Sequence, residues 1–267
     1  MQPSNTTRHI SIIANETKDP DWDYVGKVLD FLKDQGVNIY IGKLNPNAEF
    51  CIVLGGDGTI LRVAQKAAAM NIPLLGINLG TLGFLTDVDK NDGLQSISKV
   101  LSGHFFAEKR LMLEADYCAD TVQKPHNCLA LNEVCLGGTG NLKTFSVYIN
   151  NHYMDAIRAG GIIVSTPTGS TAYNLSAGGP IIVPGGQMMV ITPICPHSLS
   201  TRPWVISAED EVRIVAKNYT PLYIDGESRC DISPGESVLI KKSIHSTTIL
   251  KTAPSHFYAV LRKKKLL

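Results

Sequence analysis

Between residues 9 and 101, short apolar runs alternate with longer stretches in which apolar residues recur every three or four positions. HISIIAN (9–15), NIYIG (38–42), FCIVL (50–54) and IPLLGIN (72–78) are nearly continuous in apolar character, the pattern of strands covered on both faces. Residues 21–35 place Trp22, Val25, Val28, Leu29 and Leu32 on one helical face, and Gly36 suits the cap that follows. An alanine-rich helix is expected over 60–70 and another over 93–101. Strands alternating with helices predict a parallel sheet with helices on both faces.

From about Phe105 the pattern shortens. LMLEADYC, LALNEVCLGG, TFSVYIN, GGIIVSTPTG, MMVITPI, EVRIVAK, PLYID and SVLIKK read as strands separated by turn signals. TTILKT and HFYAVLR read as two more strand-like runs, and the only helix expected here is a short one after Thr171. The fold class is therefore α/β plus all-β: an N-terminal Rossmann-like α/β domain over 1–106 and a C-terminal β-sandwich-like domain over 107–250. A terminal segment, 251–267, could pack back on the first domain.

Composition narrows the class of function. The chain has 267 residues, 44% of them hydrophobic, and a formal net charge of +1. That balance gives no global field toward nucleic acid or an anionic membrane. Neither a signal peptide nor a membrane-spanning run is expected. The six cysteines (51, 118, 128, 135, 195 and 230) form no C-x-x-C pair, which points to scattered thiols in the cytoplasm rather than a disulfide framework or a zinc site. The basic tail from Arg262 to Lys265 reads as a solvated terminus.

Chemistry concentrates first at Gly55-Gly56-Asp57-Gly58-Thr59, between an apolar strand and a helix. Glycines let a ligand approach the backbone, and free N–H groups at a helix start favour phosphate. An acid among such donors would repel phosphate, but it can face a metal ion or take a proton from an attacking hydroxyl. The loop is neither a Walker A motif nor a dinucleotide fingerprint, since both G-K-[ST] and G-x-G-x-x-G are absent. The bland alternative is a tight turn with Asp57 capping the helix.

Three further stretches stand out. Asn132-Glu133 interrupts the apolar run LALNEVCL, either as a pair gripping a nucleoside or as a strand end with two solvated side chains. Residues 160–180 crowd six hydroxyls (Ser165, Thr166, Thr168, Ser170, Thr171, Ser176) around Tyr173, a set suited to a base and a ribose, and Ser170 or Thr171 could cap a short helix. Asp225-Gly226, before Glu227, is a turn dipeptide at a strand end. His197 reads as a structural histidine.

Together these stretches resemble the NAD kinase family, with order and spacing agreeing along essentially the whole chain. The carriers are Gly55–Thr59, Asn132-Glu133, the segment Thr166-Pro167-Thr168-Gly169-Ser170-Thr171-Ala172-Tyr173, and Asp225-Gly226. The resemblance implies transfer of the γ-phosphoryl group of ATP (or polyphosphate) to the adenosine-ribose 2′-hydroxyl of NAD, with Mg2+ accompanying ATP and no metal bound by the protein's own cluster. It implies a homo-oligomer, dimer or tetramer, with no nucleic-acid or membrane partner. Asp57 would be the catalytic acid–base residue; Gly55, Gly56, Gly58, Thr59 and Arg62 would hold phosphate. Asp57, Gly58, Asn132, Glu133, Arg158, Thr171, Ala172, Tyr173, Ser176, Asp225 and Glu227 would bind NAD. One departure is visible: Gly160 stands where the family usually has an acid that meets the nicotinamide side of NAD. The rival classes are a lipid or sugar kinase sharing the glycine loop and a non-catalytic NAD(P)-binding regulator.

Overall fold

A computed structural model describes residues 8–86, 88–117, 126–254 and 257–266. Cys118 and His256 therefore lie outside the described residues, as does the N-terminal stretch in which no signal peptide was expected. The chain divides into two compact units: residues up to Lys109 together with those from Thr247 onward, and Arg110–Ser246.

The first unit is α/β. Its elements are β1 (His9–Ala14), α1 (Asp23–Asp34), β2 (Asn38–Ile41), β3 (Phe50–Gly55), α2 (Asp57–Ala69), β4 (Leu74–Asn78), β5 (Val88–Asp89) and α3 (Gly93–Leu101). The strands pair in parallel in the order β2, β1, β3, β4, with β5 beside β4. Every residue of β3 and β4 is buried, as continuous apolar runs require. Ile10, Ile12, Ile52 and Leu54 of the sheet meet Val25, Val28 and Leu32 of α1 and Ile97 of α3 in one core.

The second unit carries β6 (Phe106–Tyr117, which begins in the first), β7 (His126–Ala130), β8 (Glu133–Gly137), β9 (Lys143–Ile149), β10 (His152–Ala159), β11 (Gly161–Ser165), α4 (Tyr173–Ser176), β12 (Met188–Ile194), β13 (Trp204–Ser207), β14 (Val212–Ala216), β15 (Thr220–Ile224), β16 (Glu227–Ile232) and β17 (Ser237–Lys251). One sheet runs antiparallel in the order β13, β12, β11, β8, β15, β16. Facing residues of a second sheet come from β9, β14 and the start of β17. Val134, Leu136, Ile162, Val164 and Leu222 of the first sheet share a core with Phe145, Val147, Ile214 and Ile240 of the second, the interdigitated packing of a sandwich.

The end of β17 belongs to the first unit, where Ile249 pairs in parallel with Leu74. The last element, α5 (Phe257–Lys263), corrects the expected strand HFYAVLR. Its aromatic and β-branched residues suggest a strand, yet the buried Val260 and Leu261 follow Phe257 at helical spacing, and tertiary burial decides. LALNEVCL is likewise two strands rather than one, broken at Leu131-Asn132. No helix among the described residues is long and apolar enough to cross a membrane.

Candidate active site

The glycine loop closes the first unit's β3 and opens α2. The helix begins at Asp57, three residues earlier than its apolar pattern showed, and the cap position falls to Gly56, so Asp57 is not the cap. Thr59 reaches back instead, its Oγ1 accepting from the Gly56 N–H at 3.4 Å. Gly55 is required for space, since a Cβ there would overlap the Thr59 side chain. Gly58 faces open space.

The Asp57 carboxylate is anchored on the loop after β4. Its Oδ1 accepts from the N–H groups of Leu85 (3.0 Å) and Thr86 (3.1 Å) and from the Thr86 hydroxyl (3.2 Å). Its Oδ2 accepts only from the Phe84 N–H, at 2.8 Å. A carboxylate offers about four acceptor positions, so Oδ2 keeps one beyond its bond to the loop. Gly83 lies flat against this carboxylate, where any Cβ would overlap Oδ1.

Asp57 also lines a depression of about 410 Å³ with Asn15, Gly56, Thr59, Lys18 and Arg62. Lys18 comes from the turn after β1, where its own N–H bonds to the Asn15 carbonyl and the Asn15 amide donates to Thr59. The ammonium reaches Gly56, and a Cβ on that glycine would stand 2.8 Å from Nζ. Two cations, open helix N–H groups and one available carboxylate oxygen thus surround a polar hollow. That set suits a chain of phosphates beside a hydroxyl.

In the second unit β8 lies between β11 and β15 and runs against both. Glu133 pairs with Ser165 and Val134 with Ile224. The register therefore gathers at one sheet end the Asn132-Glu133 pair, the start of the hydroxyl-rich segment and Asp225. The side-chain period of two sends Val134 and Leu136 to the core. It turns Glu133, Cys135 and Gly137 to the opposite face, where with Pro221 and Tyr223 of β15 and Tyr173 of α4 they line a cavity of about 460 Å³. Gly138, Thr139, Gly140, Lys143, Gly160 and Gly226 complete its glycine-rich lining.

Neither Asn132 (8% exposed) nor Glu133 (5%) is solvated, which removes the strand-end alternative. Burial first, and then the neighbouring Asp225 charge, push the Glu133 carboxyl up to about 8. Its Oε2 is buried without a hydrogen-bond partner. A mostly apolar cavity of this size, with an aromatic wall and one buried polar group, fits a nucleoside.

Models of two protein domains match the chain: the ATP-NAD kinase N-terminal domain over residues 42–105 and the ATP-NAD kinase C-terminal domain over 131–252. The chain belongs to the ATP-NAD kinase family. It is 37% identical to the NAD kinase of Caldanaerobacter subterraneus subsp. tengcongensis over 96% of this chain and 98% of that one. It is 39% identical to the NAD kinase of Nitrosospira multiformis over 83% and 76%. In fold it resembles a yeast NADH kinase complexed with NADH (TM-score 0.84, 23% identity, 97% of this chain and 88% of that one). It also resembles an NAD kinase from Archaeoglobus fulgidus in complex with ATP (TM-score 0.80, 24% identity, 97% and 99%).

Against the family's motifs, the structure separates cavity residues from supporting ones. The hydroxyls of the Thr166–Tyr173 segment mostly serve the backbone. Thr166 donates to the Leu131 carbonyl at 2.6 Å, Ser165 to that of Thr166 at 3.0 Å, and Ser170 to that of Pro167 at 2.7 Å. Neither Ser170 nor Thr171 caps α4; Ala172 holds that position with no side-chain bond. Tyr173 reaches the cavity, Thr171 and Ala172 are half-buried, and Ser176 is exposed. Arg158 stands on the exposed face of β10, and Glu227 is exposed and paired with Arg229 at 3.1 Å. The Asp225 carboxylate bonds three backbone N–H groups.

At the Gly160 departure a Cβ would overlap the Gly138 carbonyl, and one on Gly161 would stand 2.6 Å from the Gly138 nitrogen. Sequence reasoning missed Lys18, Lys143 and Tyr223. Lys18 precedes the loop by some forty positions, and only the β1–β3 pairing brings the two together.

Proposed function

We infer that this chain is an NAD kinase, transferring the γ-phosphoryl group of ATP to the 2′-hydroxyl of the adenosine ribose of NAD to give NADP. The observation that carries the reading is the Asp57 carboxylate, whose Oδ2 is held by a single loop N–H and which lines the same hollow as Lys18 and Arg62. In the reaction the 2′-oxygen attacks the γ-phosphorus and the bond from that phosphorus to the bridging oxygen of ADP breaks. The hydroxyl proton passes to Asp57 Oδ2. Lys18 and Arg62 neutralise charge on the phosphates, which supplies much of the catalysis in phosphoryl transfer. Dinucleotide is held in the second unit by Glu133, Tyr173 and the glycine rim.

A magnesium ion would arrive with ATP, and Asp57, the one carboxylate of the glycine loop, would share it. The ion would supply neutralisation of phosphate charge. The two cations would serve polyphosphate as well as ATP. Exposed Tyr153 and Met154 on β10 support a homo-oligomer, a dimer or tetramer, and the thiols suit a reducing cytoplasm. A pure NAD(P) binder has no use for the open oxygen of Asp57.

The test mixes protein, magnesium, ATP and NAD and reads NADP with an NADP-specific dehydrogenase. NADP formed by the wild type and lost in Asp57→Ala supports the reading; NADP formation at the wild-type rate in that variant ends it.

A further inference from the structure

We propose that Asp225 is a positioning residue for the dinucleotide: its carboxylate fixes the Leu131–Glu133 bend, so that the buried Glu133 beside it meets the ligand as a carboxylic acid that donates a hydrogen bond. The inference rests on the kinase reading above and deepens it.

Asp225 and Gly226 form the two-residue turn between β15 and β16, with Ile224 paired to Glu227 and both turn residues at positive φ, +50° and +79°. This is a type I′ hairpin, for which Asp-Gly and Asn-Gly are both preferred. Turn formation alone would therefore explain an aspartate or an asparagine equally. The contacts go further. Oδ2 accepts from the Leu131 N–H at 2.8 Å, and Oδ1 from those of Asn132 (2.7 Å) and Glu133 (3.1 Å). The Asp225 N–H donates to the Glu133 carbonyl at 3.0 Å. From the opposite side Thr166 bonds the carbonyls of Leu131 and Asn132 through its hydroxyl and its N–H. Gly169 presses against Asn132 so closely that a Cβ would overlap the Asn132 carbonyl. The bend is gripped on every backbone group.

The three N–H groups of the bend all go to Asp225. Burial pushes the Asp225 carboxyl up from its ordinary value, but these bonds and Arg229 oppose that push, whereas the Glu133 Oε2 is buried with no such bond. Around Glu133 stand Asp225 from the β15–β16 turn, Tyr173 from α4 and Cys135 on its own strand; Lys143 and Tyr223 line the same cavity. Arg229 acts on Asp225 and is paired with Glu227. Among the described residues no cation hydrogen-bonds Glu133. An acid buried to this degree beside a second carboxyl group keeps its proton near neutral pH, and its O–H then matches an acceptor on the ligand, such as a ring nitrogen or a carboxamide oxygen.

The experiment measures NAD affinity by calorimetry, without ATP, between pH 6.5 and 9.5 for wild type, Asp225→Asn and Glu133→Gln, with thermal melts of each. Wild-type affinity should fall above pH 8, about tenfold per unit, as the acid form is lost. Asp225→Asn keeps the turn and removes the charge, the smaller of the two causes acting on Glu133, so the midpoint of that fall should move down while burial still holds it above the ordinary carboxyl value. Glu133→Gln should abolish the fall and bind about tenfold tighter than wild type at pH 9. A midpoint unmoved in Asp225→Asn, or Glu133→Gln weaker than wild type at every pH, overturns the proposal. Should Asp225→Asn fail to fold, the Glu133→Gln comparison decides. A wild type with this pH profile that makes no NADP would sink the kinase reading alone; one that makes NADP but binds NAD independently of pH would sink this inference alone.

Discussion

The two halves of the proposed machinery are built in opposite ways. The phosphate hollow of the first unit grows from one contiguous loop, Gly55–Thr59, with a cation from the neighbouring strand's turn, and it lies open. The dinucleotide corner of the second unit is assembled by strand register from three segments separated by tens of residues, and its key groups are buried. The first can use solvent-exposed charge at little desolvation cost. The second must satisfy every polar group it buries, and most of its motif residues are occupied in doing so.

The comparison can be broken most severely at Asp57. Asp57→Ala should lower kcat by about a thousandfold, in the range of general-base removal, measured in the NADP-coupled assay. Asp57→Asn should also loosen the 83–86 loop, because an amide NH2 would face backbone N–H groups that now donate to the carboxylate. A wild-type melting curve for that variant would contradict the anchoring role. Next comes the buried corner. Asp225→Ala leaves three N–H groups without an acceptor and should cost about 3 kcal/mol or more of stability, read by denaturant unfolding.

A smaller effect is expected from Gly160→Asp, about 1–3 kcal/mol, because the new side chain must displace the Gly138 backbone. Unchanged stability there would show that the glycine rim yields. Lys18→Ala should raise KM for ATP about tenfold, less so at high salt, with KM for NAD barely moved. Equal effects on both substrates would remove Lys18 from the donor side.

The gentlest test is pH. Glu133 titrates higher folded, at about 8, than its ordinary value of 4.5, so the folded state holds more protons between those values. Stability should be greatest below about pH 4.5 as far as this group is concerned and should decline as pH rises through 8, by at most about 1.4 kcal/mol per unit. Glu133→Gln should flatten that slope in a melting series.

Much of the first unit was legible because its signals are local. Continuous apolar runs gave β1, β3 and β4, and helical spacing gave α1 and α3. The start of α2 was misplaced because Asp57, Gly58 and Thr59 carry no apolar periodicity, although the chain turns helical through them. Lys18 was invisible because its place depends on which strands pair. In the second unit the motifs were found, and the structure adds the backbone groups that some of them hold. Thr166 and Asp225 looked like ligand contacts because hydroxyls and acids in glycine-rich stretches often are; only the register shows them aimed at the Leu131–Glu133 backbone. Glu133 was the reverse case, an acid in an apolar run whose burial confirms that it does not face water.

The stretch from Leu250 to Lys264 braces the first unit's loop from a distant part of the sequence. Leu250 sits in that unit's core, and on α5 Phe257 packs against Phe84 with ring centroids 5.8 Å apart, while Lys264 stands 5.3 Å from the same ring. Phe84 is the residue whose N–H holds the Asp57 Oδ2. A substitution on α5 can therefore be felt at the Asp57 carboxylate through a single ring and a single N–H, although the two lie far apart along the sequence.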